Sequence, residues 1–123
     1  VDVLDVLIVD RDLRSARALI PRLNAWAYRA EVVETLQQAI ECLSLQACHS
    51  VILAVYANQG DAAHAITTIY QANPKTRIVA VGDQSSLELE RAVRLSKVFY
   101  YMLQPIDFEE LRAVIRRAVG EFV

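Results

Sequence analysis

The sequence alternates five times between a short apolar run and a segment with helical spacing. The apolar runs lie at Val3–Val9, Ala30–Val33, Ser50–Val55, Arg77–Val81 and Val98–Leu103. Neighbouring residues in these runs are mostly apolar, which indicates strands that are buried on both faces. Because parallel strands are joined through helical crossovers, the alternation predicts an α/β domain. We expect three layers, with a five-stranded parallel sheet between two layers of helices.

The helical segments are expected to run from Leu13 to about Trp26, from Thr35 to Leu45, from Ala62 to Ala72, from Ser85 or Ser86 to Ser96, and from Asp107 to Val119. Asp12, Thr35 and Asp107 are predicted N-caps, because their side-chain oxygens can accept hydrogen bonds from free backbone N–H groups. Glu110 follows Asp107 by three residues, as in a capping box. Pro21 lies inside the first segment and is expected to kink or weaken that helix.

Composition limits the classes of function that need to be considered. A chain of 123 residues fits one domain, and we expect residues 1–123 to form a single unit, consistent with a domain excised from a longer protein. The net charge is −2 and no run of Lys or Arg occurs, which argues against a nucleic-acid or membrane-surface partner. No apolar run approaches the ~20 residues of a membrane span, so a cytoplasmic protein is expected. Two cysteines without a signal peptide are expected to be free thiols.

Ligand chemistry in a parallel α/β sheet belongs at the carboxyl ends of the strands. In this chain those ends are Asp10–Asp12, Ala54–Asn58, Gly82–Ser85 and Gln104–Pro105. Neither a nucleophile–base pair nor a metal-ligand spacing occurs there, so we do not expect an enzyme. The chain has three glycines, too few for a phosphate-binding glycine loop.

Two stretches carry a resemblance to a known family. The first strand ends in L-I-V-D-R-D, and the last strand and helix read Y-Y-M-L-Q-P-I-D-F-E-E-L. With the order of elements, these stretches make the chain resemble the receiver domains of bacterial two-component response regulators from Leu4 to Val119. The resemblance implies a doubly wound (βα)5 fold of the flavodoxin or CheY type, with strand order 2-1-3-4-5.

The resemblance also implies a phosphorylation pocket, but most of its residues differ in this chain. The family uses two adjacent acids that bind Mg²⁺, an acceptor aspartate, a Ser or Thr and a Lys. The corresponding residues here are Asp10 and Arg11, then Ala54 or, with a slip of one residue, Val55, then Gly82 and Gln104. Asp12 lies one residue beyond the acid pair. Pro105 is retained, and in the family the peptide bond before it is cis.

These departures predict a degenerate receiver, or pseudo-receiver, that binds protein partners in a signalling pathway and does not depend on phosphorylation. We expect no cofactor, and Mg²⁺ binding that is lost or weak, because phosphoryl transfer depends on the metal and the Lys for charge neutralisation. Two alternatives stay open. One is a phosphorylatable receiver with a non-standard acceptor such as Asp61, which is otherwise an ordinary loop aspartate. The other is a small-ligand site in the vacated pocket.

The sequence allows two placements of the Arg11 side chain. Its guanidinium could contact Asp10 and Asp12 where metal charge would otherwise lie, since Arg–carboxylate contacts are geometrically firm. Alternatively, Arg11 points into solvent at the start of the helix.

The resemblance further identifies Tyr101 with the family's switch aromatic, which changes rotamer on activation. Tyr100 and Tyr101 are adjacent in a strand, so we expect opposite faces, one side chain buried and the other exposed. The family's dimer and effector surface, formed by the fourth helix, fifth strand and fifth helix, implies a candidate interface and a possible homodimer. Its residues here are Glu90, Arg91, Arg94, Lys97, Tyr100, Arg112 and Arg116. An ordinary solvated charged face explains these residues equally well.

Overall fold

The computed structural model describes residues 3–56, 62–82, 87–94 and 96–120. Strands and helices alternate along the chain. Their bounds are β1 Val3–Val9, α1 Leu13–Ala25, β2 Ala30–Val33, α2 Leu36–Leu45, β3 Ala47–Val55, α3 Ala62–Ala72, β4 Arg77–Gly82, α4 Leu87–Arg94, β5 Tyr100–Leu103 and α5 Phe108–Ala118. Asp61, predicted as a loop aspartate, and the helix start predicted at Ser85 or Ser86 lie outside the described residues.

The five strands form one parallel sheet in the order β2-β1-β3-β4-β5, which confirms the predicted topology. Two apolar clusters cover its faces. On one face, Val6, Ile8 and Ile52 pack against residues of α1 and α5. On the other face, alternate strand residues such as Leu7 and Val51 pack against α2, α3 and α4. Burial on both faces explains why the central strands are almost continuously apolar.

The helix caps follow the predicted pattern. Asp12 accepts from the Ser15 backbone N–H and caps α1. Thr35 forms a complete capping box with Gln38 at the start of α2. Asp107 accepts from the first backbone N–H groups of α5, as expected.

One predicted contact at a helix end differs from the structure. The carboxylate of Glu110 accepts from the Tyr100 hydroxyl instead of returning to the Asp107 backbone. Pro21 does not interrupt α1, which continues to Ala25. The carbonyl that a proline leaves without an intrahelical partner belongs to the residue four positions earlier, here Arg17. Arg17 is exposed, so water can satisfy that carbonyl.

Three element bounds differ from those predicted by two residues or more. β3 begins at Ala47, three residues early, because Ala47 and Cys48 pair with Val3 and Leu4 of β1. α4 ends at Arg94 rather than Ser96. β5 begins at Tyr100 rather than Val98, since the Val98 backbone N–H donates to the Ser96 carbonyl in a turn.

Cys42 and Cys48 are both free thiols, and burial raises the pKa of Cys48 to about 12.

Aromatic and guanidinium groups join α1 to α5 on the outside of the sheet. The Arg22 guanidinium lies 3.7 Å from the centre of the Phe108 ring, and that of Arg112 lies 5.7 Å from the Trp26 ring. Just after α1, Ala27 has a φ of 71°, in the left-handed region that residues other than glycine rarely adopt. Within the described part of the chain, no helix is long and apolar enough to cross a membrane.

Candidate functional site

The carboxyl ends of the strands bring the predicted pocket residues to one edge of the sheet. Asp10 follows β1 and is 6% exposed, and Ala54 is the penultimate residue of β3. Both residues line two cavities at this edge, and Gln104 with Pro105 lines one of them. Val55, the other candidate for the acceptor position, lines only one of these cavities and packs into the cluster beneath α2 and α3. The Gln104–Pro105 peptide bond is cis, as the resemblance implies.

The buried carboxylate of Asp10 is held by two donors. Its Oδ1 accepts from the Asp12 backbone N–H at 2.8 Å and from the Tyr56 hydroxyl at 2.5 Å. Tyr56 lies within the predicted strand end Ala54–Asn58, but it was not singled out as a residue of this site. Its position directly after β3, two residues beyond Ala54, was the available signal, but the spacing does not show where the phenol points.

Tyr56 is held as a neutral phenol and not as a phenolate. Burial raises the pKa of Tyr56, and its hydrogen bond to the Asp10 carboxylate raises it further. The Arg11 guanidinium lies 5.3 Å from the centre of the Tyr56 ring, within the range of a cation–π contact. Arg11 therefore contacts the face of an aromatic ring, and neither of the two placements predicted for its side chain included this contact.

Asp12 is engaged at the start of α1. Its side chain accepts from the Ser15 hydroxyl at 2.9 Å and from the Ser15 backbone N–H. These hydrogen bonds lower the pKa of Asp12 below its usual value. The second acid of the D-R-D sequence is thus used as a helix cap, as predicted.

The two cavities differ in chemistry. The first, of about 330 Å³, lies between the ends of β1 and β3 and the starts of α2 and α3, and its polar lining includes Arg11, Glu34 and Tyr56. The second, of about 240 Å³, lies between α1 and the segment that joins β5 to α5. Its lining is mainly apolar and includes Ile8, Leu19, Ile52, Val81, Ile106 and Phe108.

Gly82 ends β4 and is buried beside an aromatic side chain of β5. A Cβ atom built on Gly82 would lie 2.6 Å from the Tyr101 hydroxyl oxygen and 3.3 Å from Cε1 of the same ring. The Tyr101 ring therefore occupies the space where a side chain at position 82 would lie.

Tyr100 and Tyr101 point to opposite faces of the sheet, as predicted. Tyr100 packs with the α1 and α5 cluster, and Tyr101 packs with the cluster on the other face. The expectation that one side chain is buried and the other exposed was wrong, because both are half-buried. The hydrogen bond to Glu110 raises the pKa of Tyr100 above its usual value, and burial raises it further.

The remaining candidate interface residues lie on α4, in the segment that follows α4, and on α5. Arg94 is paired with Glu90 at 3.1 Å within α4, next to exposed Arg91. The Lys97 ammonium lies 5.8 Å from the centre of the Tyr70 ring. Arg112 lies on the side of α5 that faces Trp26 of α1, and Arg116 is exposed in the last turn of α5.

The residues around Asp10 do not fit the metal that the fold family implies. Mg²⁺ takes an octahedral set of oxygen ligands, usually with one or two carboxylates. Here Asp10 is hydrogen-bonded to Tyr56, its neighbour is the cation Arg11, and Ala54 offers no side-chain oxygen. Among the described residues, no group of three His, Cys, Asp or Glu side chains lies close enough to hold a metal ion. Asp61, the alternative acceptor, lies outside them.

No protein-family model matches the chain. Its sequence is similar to that of the transcriptional regulatory protein ZraR. The identity to ZraR of Escherichia coli K12 is 25% over 119 residues, covering 97% of this chain and 27% of the relative. The identity to ZraR of Klebsiella oxytoca is 23% over 116 residues, covering 94% and 26%. The chain thus spans only about a quarter of the length of these curated relatives.

Solved structures show the same fold at lower identity. The CheY-like response regulator receiver domain protein from Methanospirillum hungatei matches with a TM-score of 0.85 and 16% identity, covering 98% of this chain and 96% of the other. The beryllofluoride-activated NtrC4 receiver domain dimer matches with a TM-score of 0.81 and 20% identity, covering 96% and 98%. From its sequence and its five-stranded topology, the chain is homologous to a segment of ZraR and folds as a receiver domain of the CheY-like response-regulator type.

Proposed function

We propose that this receiver domain works without aspartyl phosphorylation, as a protein-interaction or regulatory module of a two-component signalling protein. The observation that carries the proposal is the state of Asp10. Its carboxylate is bonded to Tyr56, and the residue of β3 that shares both cavities with it is Ala54. A methyl group cannot accept a phosphoryl group.

The other positions of the pocket support the same function. Phosphoryl transfer relies on positioned positive charge and on the metal. Gln104 is uncharged at the position where the resemblance implies Lys, and Arg11 takes the place of a metal-binding acid beside Asp10. The site therefore lacks the charges for transfer and the oxygen ligands for Mg²⁺.

Intact-mass measurement after incubation with Mg²⁺ and acetyl phosphate tests this proposal. The chain is expected to remain unmodified under conditions in which an ordinary receiver domain gains one phosphoryl group. The variant Ala54→Asp, combined with Arg11→Asp and Gln104→Lys, restores the family's residues at three of the four positions that differ and serves as the matched chain. Stable addition of one phosphoryl group to the unaltered chain would show that an unorthodox acceptor is used, and peptide mapping would identify it.

The same proposal places the domain in the cytoplasm and assigns its output to contacts with signalling proteins or with a second copy. The NtrC4 receiver domain, which shares the fold, forms a dimer in its beryllofluoride-activated state. Sedimentation velocity over a range of concentrations tests self-association. Concentration-dependent sedimentation would support a homodimer, whereas one monomer species throughout would leave other proteins as the partners.

A second candidate function rests on the apolar cavity of about 240 Å³ beside Gln104. Drug-sized ligands occupy pockets of roughly 300–1,000 Å³, whereas an engineered apolar cavity of ~150 Å³ binds benzene. The volume lies between these two cases and therefore suits a compound with one ring or two small fused rings.

Indole is a suitable probe in a chemical-shift titration. Shifts confined to residues that line the apolar cavity would favour this second function, and Ala54→Leu should abolish them by filling the space. Shifts that persist in Ala54→Leu would place indole elsewhere and remove the support for this cavity as a site.

A further inference from the structure

We propose that the chain binds a short arylalkylamine, with the aromatic ring in the apolar cavity between α1 and the segment that joins β5 to α5, and with the primary ammonium on the carboxylate of Asp10. This inference rests on the second candidate function, the small-ligand site, and names the chemical class of its ligand. The ligand is an organic cation with one aromatic ring.

Among the described residues, only one oxygen of the Asp10 carboxylate is hydrogen-bonded. The Asp12 backbone N–H and the Tyr56 hydroxyl both donate to Oδ1. Oδ2 accepts no hydrogen bond from the part of the chain that the structure describes. Asp10 is 6% exposed, and a buried carboxylate oxygen is costly unless a donor reaches it. The site therefore suits a ligand that brings its own hydrogen-bond donors.

The charge around the apolar cavity is negative. Asp10 is the only charged residue in its described lining, Ser15 and Gln104 are neutral, and the other lining residues are apolar. Arg11 lines the neighbouring polar cavity and not this one, and its guanidinium lies over the Tyr56 ring. A single carboxylate in an apolar wall is complementary to a ligand with a positive group and an apolar body.

The neutral polar residues of this cavity offer acceptors that suit a primary ammonium. The Ser15 hydroxyl donates its hydrogen to Asp12, which leaves its oxygen to accept. The Gln104 amide contributes a carbonyl oxygen and carries no charge that would compete for the carboxylate. With Oδ2 of Asp10, these oxygens give three kinds of acceptor around one cavity, and a primary ammonium has three N–H donors.

The volume of the cavity limits the apolar part of the ligand. Its 240 Å³ exceed the ~150 Å³ that hold benzene, so one ring leaves room for a short alkyl chain that carries the ammonium. The ring would pack among apolar side chains such as Ile8, Leu19 and Ile52. A neutral ring in this place excludes water from Asp10 without supplying a charged donor. The ammonium should therefore decide the affinity.

Isothermal titration calorimetry of the unaltered chain with phenethylamine and phenethyl alcohol tests the proposal. The two probes have the same ring and chain length, and at pH 7 only the amine is charged, since alkylammonium groups have a pKa near ~10. The amine should bind about tenfold more tightly, because hydrogen bonds between charged groups are roughly twice as strong as neutral ones. Equal affinities for the two probes would overturn the proposal, and this comparison requires no variant to fold.

Asp10→Asn tests which group holds the ammonium. The amide keeps an oxygen for the Tyr56 hydroxyl but removes the charge. The preference for the amine should fall to within about twofold in this variant. An undiminished preference would show that the ammonium lies elsewhere and would contradict the proposed site.

Glu34→Gln is the matched control, because Glu34 lines the polar cavity and not the apolar one. The variant removes a negative charge from the same edge of the sheet and should keep the full preference for phenethylamine. A loss as large as that in Asp10→Asn would mean that the amine responds to the overall charge of this edge, which would overturn the role of Asp10.

The indole titration separates a failure of this inference from a failure of the second candidate function. If indole binds in the apolar cavity while phenethylamine and phenethyl alcohol bind equally, the ligand site stands and the preference for an amine is refuted. If none of the three probes binds, both are refuted. No measurement in this series includes a phosphorylation step, so its outcome is independent of the acetyl phosphate experiment.

Discussion

Single side chains decide the chemistry of the pocket, and Tyr56 is the clearest case. A buried carboxylate is costly unless it is hydrogen-bonded. Asp10 is the only buried acid among the described residues, and Tyr56 supplies its side-chain donor. At this scale the resemblance predicts which positions of the family's pocket carry other residues, because the residue at each aligned position is read directly from the chain. The hydrogen bond between Tyr56 and Asp10 could not be predicted, because the two residues are 46 positions apart and only the folded sheet brings them together.

Tyr56→Phe is expected to lower the free energy of unfolding by about 1.5–3 kcal/mol, the range for a hydrogen bond to a charged group. The variant leaves the Asp10 carboxylate with the Asp12 backbone N–H but without the phenol. Urea denaturation measures the change. Tyr70→Phe, which removes another half-buried phenol, is the control and should stay within about 0.5 kcal/mol of the parent. Equal losses in both variants would contradict a specific role for the Tyr56 hydroxyl.

Asp12 should contribute to the pH dependence of stability. Its pKa in the folded chain lies below the usual 3.8, because the Ser15 hydroxyl and backbone N–H bond to the charged form. A lowered pKa in the folded state stabilises the chain above the unfolded pKa, and this stability is lost as pH falls through the folded pKa. Asp12→Asn keeps a capping oxygen but removes the charge.

Thermal unfolding over an acid pH series compares the two chains. The stability of the parent should fall more steeply with acid than that of Asp12→Asn. Parallel curves would show that the charge of Asp12 does not contribute.

At the scale of secondary-structure elements, the local sequence predicted which helices and strands form and in what order. It predicted their first and last residues less accurately. The caps Asp12, Thr35 and Asp107 were all predictable because they bond to neighbours three residues away or closer. The early start of β3 at Ala47 was not predictable, because Ala47 extends the sheet only through its pairing with Val3. Distant pairing of this kind leaves no periodic pattern in the sequence.

The end of α1 contains a residue in an unfavourable conformation. Ala27 has a φ of 71° directly after the capping residue Trp26, where helices usually carry glycine. The left-handed region costs a residue with a Cβ about 1–2 kcal/mol, and a glycine at this position would relieve that cost. Glycine also gives the unfolded chain more conformational freedom, which offsets part of the gain in stability. Ala27→Gly is therefore expected to raise the free energy of unfolding by about 0.5–1 kcal/mol.

Differential scanning calorimetry checks this expectation. Ala25→Gly provides the comparison, because Ala25 is the last residue of α1 and has helical geometry. That variant should be neutral or destabilising. A loss of stability in Ala27→Gly would argue against strain at this position.

For the molecule as a whole, the order of strands was fully predictable and the state of the pocket was not. Alternating apolar and helical segments specify a parallel sheet, and the family resemblance specified the order 2-1-3-4-5. The pocket depends instead on how Tyr56, Arg11 and Tyr101 pack after folding, which chain order does not encode. The fold is shared with many receiver domains, so function must be argued from these residues.

Because a ligand stabilises the state that binds it, Mg²⁺ provides a test of the whole domain. The midpoint of thermal unfolding is expected to be the same with Mg²⁺ and with EDTA. Arg11→Asp/Ala54→Asp, which restores two acids beside Asp10, should show a midpoint that rises with Mg²⁺. A rise in the unaltered chain that is abolished by Asp10→Asn would place a metal in the pocket and contradict the proposed function.

The contact between Trp26 and Arg112 gives the chain an optical reporter. Trp26 is its only tryptophan, and its ring lies at the end of α1 with the guanidinium of α5 5.7 Å from its centre. The emission spectrum of the native chain therefore arises from one known place, where the first and last helices meet. Detachment of α5 should change that spectrum even while the sheet persists, so fluorescence and far-ultraviolet circular dichroism together would reveal whether the two ends of the chain separate before the rest unfolds.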